Sequence, residues 1–298
     1  MFRQEKKYYA RAFLYALAMA AVLLAPFVLL DGGYFVYYGD YNAQQIPFYK
    51  TCIEAVQSGN LGWNWRTDLG ANFVGSYSFY TLGSPFFWFA ALFPVEISQY
   101  LMAPLLALTN PQHALIGGLL YAFSGYSMYN IFFNHFHEAI VFFPLLLIGL
   151  EESVVNKRRG ALAVAVAINA FVNYFFFIGE CVFLVLYFVI RLIGDSRFRI
   201  GVKDFFCLAF EAVCGVLIAG VLFVPSIFQV LDVPRSTSML NGWDFLFYNK
   251  NQRYGLILEA MFFPGEVPAR TIMFEKADSK WSSVALFLPL FSMSGVIA

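Results

Sequence analysis

The feature that most constrains the fold is an uncharged apolar run over Ala12–Leu30. Its length matches the roughly 20 apolar residues that cross a bilayer core. Four basic residues precede the run: Arg3, Lys6, Lys7 and Arg11. Because a basic flank stays in the cytoplasm, the chain after this run should lie outside the cytosol. A cleaved signal peptide is the alternative, since the run contains small-x-small triplets such as Ala16–Ala18, and it places the following segment on the same side.

The composition is that of an integral membrane protein with several spans. Apolar residues make up 60% of the chain, aromatic residues 20% and charged residues 13%, whereas charged residues reach about a quarter of a soluble protein. The 19 basic and 19 acidic residues cancel, so no net field attracts nucleic acid. We therefore expect membrane lipids, and no nucleic acid, among the partners of the chain.

The apolar runs predict an all-α, polytopic bundle of transmembrane helices in a single membrane domain, with the N-terminus in the cytoplasm. The predicted spans lie near 12–30, 97–108, 114–133, 139–155, 161–178, 181–194 and 205–231, with a partial span over 284–298. The run over 97–108 is short, because its length gives about 18 Å of helix against a bilayer core of about 30 Å.

The distribution of positive charge supports this topology. The segments predicted to be cytoplasmic hold 11 of the 19 basic residues: Arg3, Lys6, Lys7, Arg11, Lys157, Arg158, Arg159, Arg191, Arg197, Arg199 and Lys203. The short turns predicted on the other side hold none. This asymmetry is the one expected when basic loops remain in the cytoplasm.

Two long segments, 31–96 and 232–283, are predicted to be extracytoplasmic loops. Within the first, apolar residues at helical spacing predict a short helix over Ile46–Gln57 on the membrane surface, ended by Ser58–Asn60. The apolar stretch Pro85–Phe93 is too short to span a bilayer, so it suits an interfacial or re-entrant piece.

Asp40 is the candidate catalytic residue. It follows the first span closely, Gly39 allows the backbone to turn there, and tyrosines on both sides would partly desolvate the carboxylate. A carboxylate in this position can take a proton from a hydroxyl nucleophile. The alternative is a structural role, as an Asx-turn or the N-cap of the helix near Ile46.

Arg66 and Asp68 lie close to Trp63 and Trp65 and are candidate substrate-binding residues. Indole rings stack on the apolar faces of sugars, and they also anchor proteins at the level of lipid headgroups. Every tryptophan of the chain falls on the predicted outer side: Trp63, Trp65, Trp88, Trp243 and Trp281. An interfacial belt should populate both sides of the membrane, so this asymmetry favours a recognition surface.

A predicted outer turn over Asn134–Glu138 concentrates His135, His137 and Glu138. These side chains can hydrogen-bond a sugar, help to hold a phosphate or bind a divalent cation. The His-x-His spacing is loose for a metal site, so we assign no metal ligands and leave the cofactor open. Glu180, on the neighbouring outer turn, either faces the same pocket or solvates a helix end.

Three further observations concern polar residues elsewhere. Arg253 in the second outer loop is a candidate for binding an anionic substrate, because arginine grips phosphate with two hydrogen bonds; a solvated surface charge is the alternative. Glu211 lies inside a predicted span but near its end, so it is weak evidence for an ion path. Asn169 and Asn173 are predicted to join helices by hydrogen bonds.

Several motifs, in this order along the chain, resemble those of the bacterial YfhO membrane-protein family. They are Gly39-Asp40-Tyr41-Asn42-Ala43-Gln44-Gln45-Ile46-Pro47, Thr67-Asp68-Leu69-Gly70-Ala71-Asn72-Phe73, Ala122-Phe123-Ser124-Gly125-Tyr126, Asn134-His135-Phe136-His137-Glu138 and Gly242-Trp243-Asp244. The resemblance runs along essentially the whole chain. Family chains are longer, so we expect this one to correspond to their N-terminal portion, with part of the second span deleted.

The resemblance implies a GT-C-like glycosyltransferase whose large first outer loop contains short interfacial helices and carries an acidic catalytic residue. Asp40 occupies that place, and Gln44 in the same motif joins the candidate substrate-binding residues. The implied donor is a polyprenyl-phosphate-linked sugar that a partner enzyme charges at the inner face. The implied acceptor is an envelope polymer such as teichoic acid, outside the bacterial cell membrane.

The predicted function is therefore sugar transfer, with inversion at the anomeric carbon, on the extracytoplasmic side. A transporter or lipid flippase is the first alternative, and it predicts ionisable or broken helices near the middle of the membrane. A non-catalytic envelope scaffold is the second, and it predicts that loss of Asp40 has no effect.

Overall fold

A computed structural model of the chain describes residues 2–35, 39–65, 67, 70–98, 124, 126–127 and 133–231. The predictions that fall outside these residues concern Arg66, Asp68, Arg253, the loop 232–283, the spans 114–133 and 284–298, and the span 97–108 beyond Ser98. The chain divides into two compact units. One comprises Met1–Ala43, Ala103–Asn134 and Arg235–Ala298, and the other comprises Gln44–Met102 and His135–Pro234.

The described residues are mostly helical. Their helices are α1 Phe2–Leu30, α2 Ile46–Ser58, α3 Phe73–Tyr77, α4 Pro85–Ala90, α5 Val95–Ser98, α6 Asn134–Val154, α7 Ala161–Val172, α8 Tyr174–Gly194 and α9 Val202–Leu231, with π-helical turns over Tyr41–Gln45 and Ser78–Leu82. A small antiparallel hairpin pairs strand β1, Trp63–Asn64, with strand β2, Ala71–Asn72. This architecture agrees with the predicted all-α membrane protein.

Among the described residues, three stretches are long and apolar enough to cross a membrane: Phe13–Leu30, Tyr174–Gly194 and Val202–Gln229. Few of their residues are fully buried inside the protein, as expected of helices that also face lipid tails. Their presence gives the chain the physical character of a membrane protein.

Close packing of α6, α7 and α9 depends on two glycines. A Cβ at Gly149 of α6 would lie 2.6 Å from the Cβ of Ala165 in α7, and one at Gly215 of α9 would lie 2.6 Å from the carbonyl oxygen of Ala163. Small residues let helix backbones approach in this way, which strengthens their van der Waals contact. The core that results contains Leu146, Leu150, Val154, Leu162, Ala165, Val166, Ala170, Phe177, Phe198, Leu208 and Ala219.

Helices α6 and α8 run parallel to one another. Near their starts, the amide of Asn173 donates to the carbonyl oxygen of His135 at 2.7 Å. Near their ends, the guanidinium of Arg191 donates to Glu151 at 2.6 Å. The shorter α7 connects them. The three helices therefore alternate in direction along residues 134–194.

The break between α7 and α8 falls earlier than the sequence predicts. The pattern predicted a turn near Glu180, between spans 161–178 and 181–194, but α8 continues from Tyr174 to Gly194 without interruption. The chain turns instead at Asn173, whose backbone leaves helical geometry at φ −153° and whose side-chain oxygen accepts from the amide of Phe176. Asn173 thus caps α8, and Glu180 lies within a helix and not on a turn.

The second prediction that the structure corrects is the turn over Asn134–Glu138. These residues form the start of α6. The helix therefore begins ahead of the predicted span 139–155, and its first turn brings His135 and Glu138 onto one side, because residues three apart share a helix face.

The first loop is more ordered than its irregular sequence suggests. The helix predicted over Ile46–Gln57 is present as α2, with Pro47 in its first turn and Gly59 in the left-handed conformation at its end (φ +73°). Further along, Ser78 and Ser226 hydrogen-bond through their hydroxyls at 2.8 Å. The loop therefore packs against the last turns of α9.

Candidate functional site

Asp40 lies at the entrance to the helical part of the first loop. Gly39 adopts φ +60°, a conformation that glycine reaches without strain, and its carbonyl oxygen accepts from the amide of Ala43 at 3.1 Å. Asp40 itself is half-buried, and the π-helical turn Tyr41–Gln45 follows it. Gln44 is also half-buried. Asp40 is thus placed where a short turn holds a partly shielded carboxylate.

A buried polar cluster lies in the second unit and comprises Gln45, Ser84, His135, Glu138 and Asn173. Each of these residues is at most 4% exposed. They come from the turn before α2, the residue before α4, the first turn of α6 and the residue before α8. The cluster therefore joins the first loop to the starts of two long helices.

His135 is the centre of this cluster. Its Nδ1 lies 3.3 Å from Oε1 of Gln45, and an amide oxygen only accepts, so this contact suits the tautomer with the proton on Nδ1. The rings of Phe79 and Tyr80 meet the imidazole edge-on at 4.9 Å each. Burial lowers the pKa of His135 to about 3, because the desolvated ring cannot support a charge. The imidazole is therefore neutral at physiological pH.

Glu138 lies one helical turn after His135 and ahead of the predicted span. Burial raises the pKa of Glu138 to about 8, and a hydrogen bond with the side chain of Ser84 opposes the rise. Oε1 of Glu138 is buried and has no hydrogen-bond partner among the described residues. The carboxyl group is thus largely protonated at neutral pH, in the manner of buried acids that donate a hydrogen bond to a ligand.

Ser84 and Asn173 each combine two roles. The hydroxyl oxygen of Ser84 accepts from the amide of Phe87 at 3.1 Å and so caps α4, while the same side chain bonds Glu138. Asn173 caps α8 and donates to the carbonyl of His135, which confirms its predicted role between helices. Asn169 differs, because its amide bonds Ala165 of its own helix at 2.8 Å.

The buried polar cluster carries donors and acceptors but no formal charge at neutral pH. Such a set suits uncharged hydroxyl groups better than a phosphate, which needs cations or several convergent amides. His137 is also buried, on the same helix. Among the described residues, no group of three His, Cys, Asp or Glu side chains lies close enough to hold a metal ion.

Sequence reasoning identified His135 and Glu138 but missed Gln45 and Ser84. Gln45 follows Gln44 in the first motif, and a Ser before Pro is a typical start of a helix, so a signal existed for each residue separately. No pattern in the sequence connects either residue with position 135 or 138. From the sequence we also expect Asp40 and His135 to share one cavity at the outer leaflet. This stays a prediction, since the two residues belong to different units.

The profile of the family described as bacterial membrane protein YfhO matches residues 11–252 of the chain. No curated protein and no solved structure matches it. The family match covers most of the chain, including Asp40 and the whole of the buried polar cluster. The resemblance found in the sequence motifs is thereby confirmed, and the chain belongs to the YfhO family of bacterial membrane proteins.

Proposed function

We propose that this YfhO-family protein is a GT-C-like inverting glycosyltransferase of the bacterial cell membrane. It transfers a sugar from a polyprenyl-phosphate-linked donor to a hydroxyl group of an envelope polymer, such as teichoic acid, on the extracytoplasmic side. No nucleotide-sugar pool exists there, so a lipid-borne donor suits a site close to the membrane. A partner enzyme charges the lipid carrier at the inner face.

In this proposal Asp40 is the general base. Its carboxylate takes the proton of the acceptor hydroxyl as the oxygen bonds to the anomeric carbon, on the face opposite the leaving group. The bond between that carbon and the phosphate oxygen breaks, and its electron pair leaves with polyprenyl phosphate. One displacement inverts the anomeric configuration. General-base catalysis contributes about 10²–10⁴-fold to such a step.

The buried polar cluster supplies the sugar-binding part of the proposal, and Glu138 carries this argument. Its Oε1 is buried without a partner among the described residues, and an unsatisfied buried polar atom costs about 1–3 kcal/mol. A hydrogen bond between the carboxyl group and a substrate hydroxyl would remove this cost. His135 is the second proposed sugar contact, and His137 and Gln44 are the remaining ones.

Positive charge for the departing phosphate has to come from elsewhere, because the cluster is neutral. Arg66 and Arg253 are the proposed cations, and Asp68 would orient Arg66 or a sugar hydroxyl. Stabilising charge that develops on a leaving group is a large term in catalysis when the donors are already in place. The two arginines therefore have a role distinct from that of the buried cluster.

The experiment uses membranes that contain the 298-residue chain, radiolabelled polyprenyl-phosphate sugar and purified envelope polymer. Wild type should yield labelled polymer, and Asp40→Asn should reduce the yield by about 10²-fold or more. Asp31→Asn is the matched control, because Asp31 is exposed at the end of α1. Labelled polymer at the wild-type level from Asp40→Asn would remove Asp40 from its role and refute the proposed mechanism.

A transport function is the second candidate, and specific observations favour it. Oxygen atoms of Glu180 and Glu211 are buried without a hydrogen-bond partner among the described residues, inside two of the candidate spans. Ionisable groups in such positions often mark substrate or ion paths. The same assay separates the two functions, since a flippase would move labelled lipid between leaflets without labelling the polymer.

A further inference from the structure

Residues 85–97 of the first loop, which we name segment 85–97, expose more apolar surface than a loop in water normally does. Trp88 is 44% exposed, Phe89 50%, Leu92 79% and Ile97 54%. No charged residue occurs from Pro85 to Val95. An apolar patch of this kind on an ordered loop marks a surface that another apolar phase or partner covers.

Buried side chains and hydrogen bonds fix the position of the segment on the rest of the first loop. Two of its own residues, Phe87 and Ala90, are completely buried. The indole N–H of Trp88 donates to the carbonyl of Leu82 at 2.8 Å. The side-chain amide of Gln57, on α2, donates to the carbonyl oxygens of Ala91 at 3.1 Å and Phe93 at 2.9 Å. The backbone therefore presents Trp88, Phe89, Leu92 and Ile97 in fixed positions.

Neighbouring contacts place segment 85–97 at the level where helices leave their apolar stretches. Phe86 packs on Phe142 of α6 with ring centroids 6.0 Å apart, and Phe142 lies at the start of the predicted span 139–155. The adjoining turn bonds Ser226, close to the end of the candidate span Val202–Gln229. The exposed side chains of the segment thus continue the apolar surface of those helices.

We infer that segment 85–97 is a membrane anchor that seats Trp88, Phe89, Leu92 and Ile97 in the interface of the bilayer that the spans cross. The segment is too short to span. Its mixture of indole, phenyl and aliphatic groups, with the one charge at Glu96 near its end, is that of elements that lie in the headgroup region. A surface so close to the spans already faces lipid, so lipid and not a protein partner is the occupant that we infer. The inference does not depend on the proposed glycosyl transfer.

This anchor also has a consequence for the buried polar cluster. Ser84 caps the first helix of the segment and bonds Glu138 with the same side chain. The depth at which the segment sits therefore fixes the depth of Glu138. A lipid-borne substrate would meet the cluster at the headgroup level, where its polar part lies.

The test uses a variant in which Trp88 is the single tryptophan, made by Trp63→Phe, Trp65→Phe, Trp243→Phe and Trp281→Phe. It is placed in vesicles of phosphatidylcholine with bromine at defined acyl positions, which quench tryptophan emission only at contact. Trp88 should lose most of its emission, with the largest loss for bromine near the headgroup. It should resist quenching by dissolved iodide.

Two further substitutions in a background without native tryptophans calibrate the measurement. Val224→Trp reports a lipid-facing position, because Val224 is an exposed residue of a candidate span. Glu54→Trp reports the exposed polar side of α2. Trp88 should behave like the first and unlike the second.

The difference in emission between wild type and Trp88→Phe gives the same quantity from one conservative change, should the multiple variant fail to fold. Quenching of Trp88 by iodide and not by brominated lipid would overturn the inference, because the residue would then face water. Protection from both quenchers would overturn it as well, since a protein would then cover the segment.

Discussion

The two ends of the parallel helices α6 and α8 are joined in opposite ways. At their starts, within the buried polar cluster, the neutral amide of Asn173 donates to the backbone carbonyl of His135. At their ends, Arg191 donates to both carboxylate oxygens of Glu151, at 2.6 and 3.1 Å, and to Asp195 at 2.8 Å. The same pair of helices is therefore fastened by hydrogen bonds without charge at one end and by ion pairs at the other.

Solvent explains the difference. The side chains of Arg191 and Glu151 keep 29% and 28% of their exposure, so their charges are only partly desolvated and their bidentate pairing is favourable. Glu138 is 2% exposed and has no cation beside it in the described structure. Burial disfavours a charge there, so the carboxyl group keeps its proton at neutral pH. The charged end is thus suited to holding helices, and the neutral end retains a carboxyl group that can bind a ligand.

The largest effect is expected at the neutral end, from Gly83→Ala. A Cβ at Gly83 would overlap the carbonyl oxygen of Phe171, at the end of α7, and the first loop could no longer seat against it. Overpacking of this kind costs about 1–3 kcal/mol, and a backbone obstacle places Gly83→Ala near the upper limit. Unfolding in mixed detergent micelles measures the loss.

Gly179→Ala is the matched control for that substitution. Gly179 lies inside α8 with no atom within 4 Å of a Cβ, so alanine should raise the stability by up to about 1 kcal/mol. Equal stabilities of the two variants would show that the first loop does not pack on α7 as described.

The second prediction concerns the pH dependence of stability, which distinguishes the titration of Glu138 from that of His135. Between pH 6.5 and 8 the folded protein keeps a proton on Glu138 that the unfolded chain, with an ordinary pKa of 4.5, has released. Stability therefore falls by about 2 kcal/mol as pH rises through that window. Below pH 4.5 the unfolded chain binds a proton on His135 that the folded protein refuses, so stability falls again toward pH 3.

Between pH 4.5 and 6.5 the two contributions oppose one another and should give a plateau. Glu138→Gln should remove the loss above pH 6.5 and turn the plateau into a rise of stability with pH, while the loss below pH 4.5 stays. Glu54→Gln, at an exposed position on α2, should leave all three parts of the profile unchanged. An unchanged alkaline loss in Glu138→Gln would mean that the carboxyl group of Glu138 is ionised in the folded protein.

The third prediction addresses the charged end. Arg191→Met should lower the stability, because it removes charge-assisted bonds to Glu151 and Asp195 that are partly screened by water. Arg158→Met is the control, since Arg158 is 72% exposed in its pair with Glu152 and should change stability by less than about 0.5 kcal/mol. A loss for Arg158→Met as large as that for Arg191→Met would show that exposure does not decide the strength of these pairs.

Much of this arrangement was accessible from the sequence, for reasons that particular residues illustrate. Length and apolarity predicted the helices that became α1, α8 and α9, and Gly59 predicted the end of α2. Hydropathy could not reveal the break at Asn173, because the apolar run continues through it and the first charge is Glu180. A single buried cap changes the direction of the chain without changing its average polarity.

The candidate site was predictable only in part. His135 and Glu138 stood out because polar residues between two apolar runs are conspicuous, and the motif of the first loop drew attention to Asp40. Their partners Gln45 and Ser84 lie far away in the chain, and the contacts that join them arise from tertiary packing. The neutral state of the cluster likewise follows from burial, which no local pattern encodes.

The smallest effects are expected from a matched pair of tyrosines, one at each end. Tyr49→Phe removes a hydroxyl that donates to the amide oxygen of Gln45 at 3.2 Å, and Tyr187→Phe removes one that donates to the carboxylate of Glu151 at 2.8 Å. Neutral hydrogen bonds contribute about 1 kcal/mol, and those to charged groups contribute more. We therefore expect a loss of about 0.5–1 kcal/mol for Tyr49→Phe and about 1–1.5 kcal/mol for Tyr187→Phe.

The stability costs of the two tyrosine substitutions should also differ in how they change at low pH. Protonation of Glu151 at low pH turns its bond with Tyr187 into a neutral one, so the cost of Tyr187→Phe should fall toward that of Tyr49→Phe. The amide of Gln45 does not titrate, so the cost of Tyr49→Phe should stay constant from pH 5 to pH 8. If the cost of Tyr49→Phe varied with pH while that of Tyr187→Phe did not, the assignment of a neutral and a charged end to these helices would be reversed.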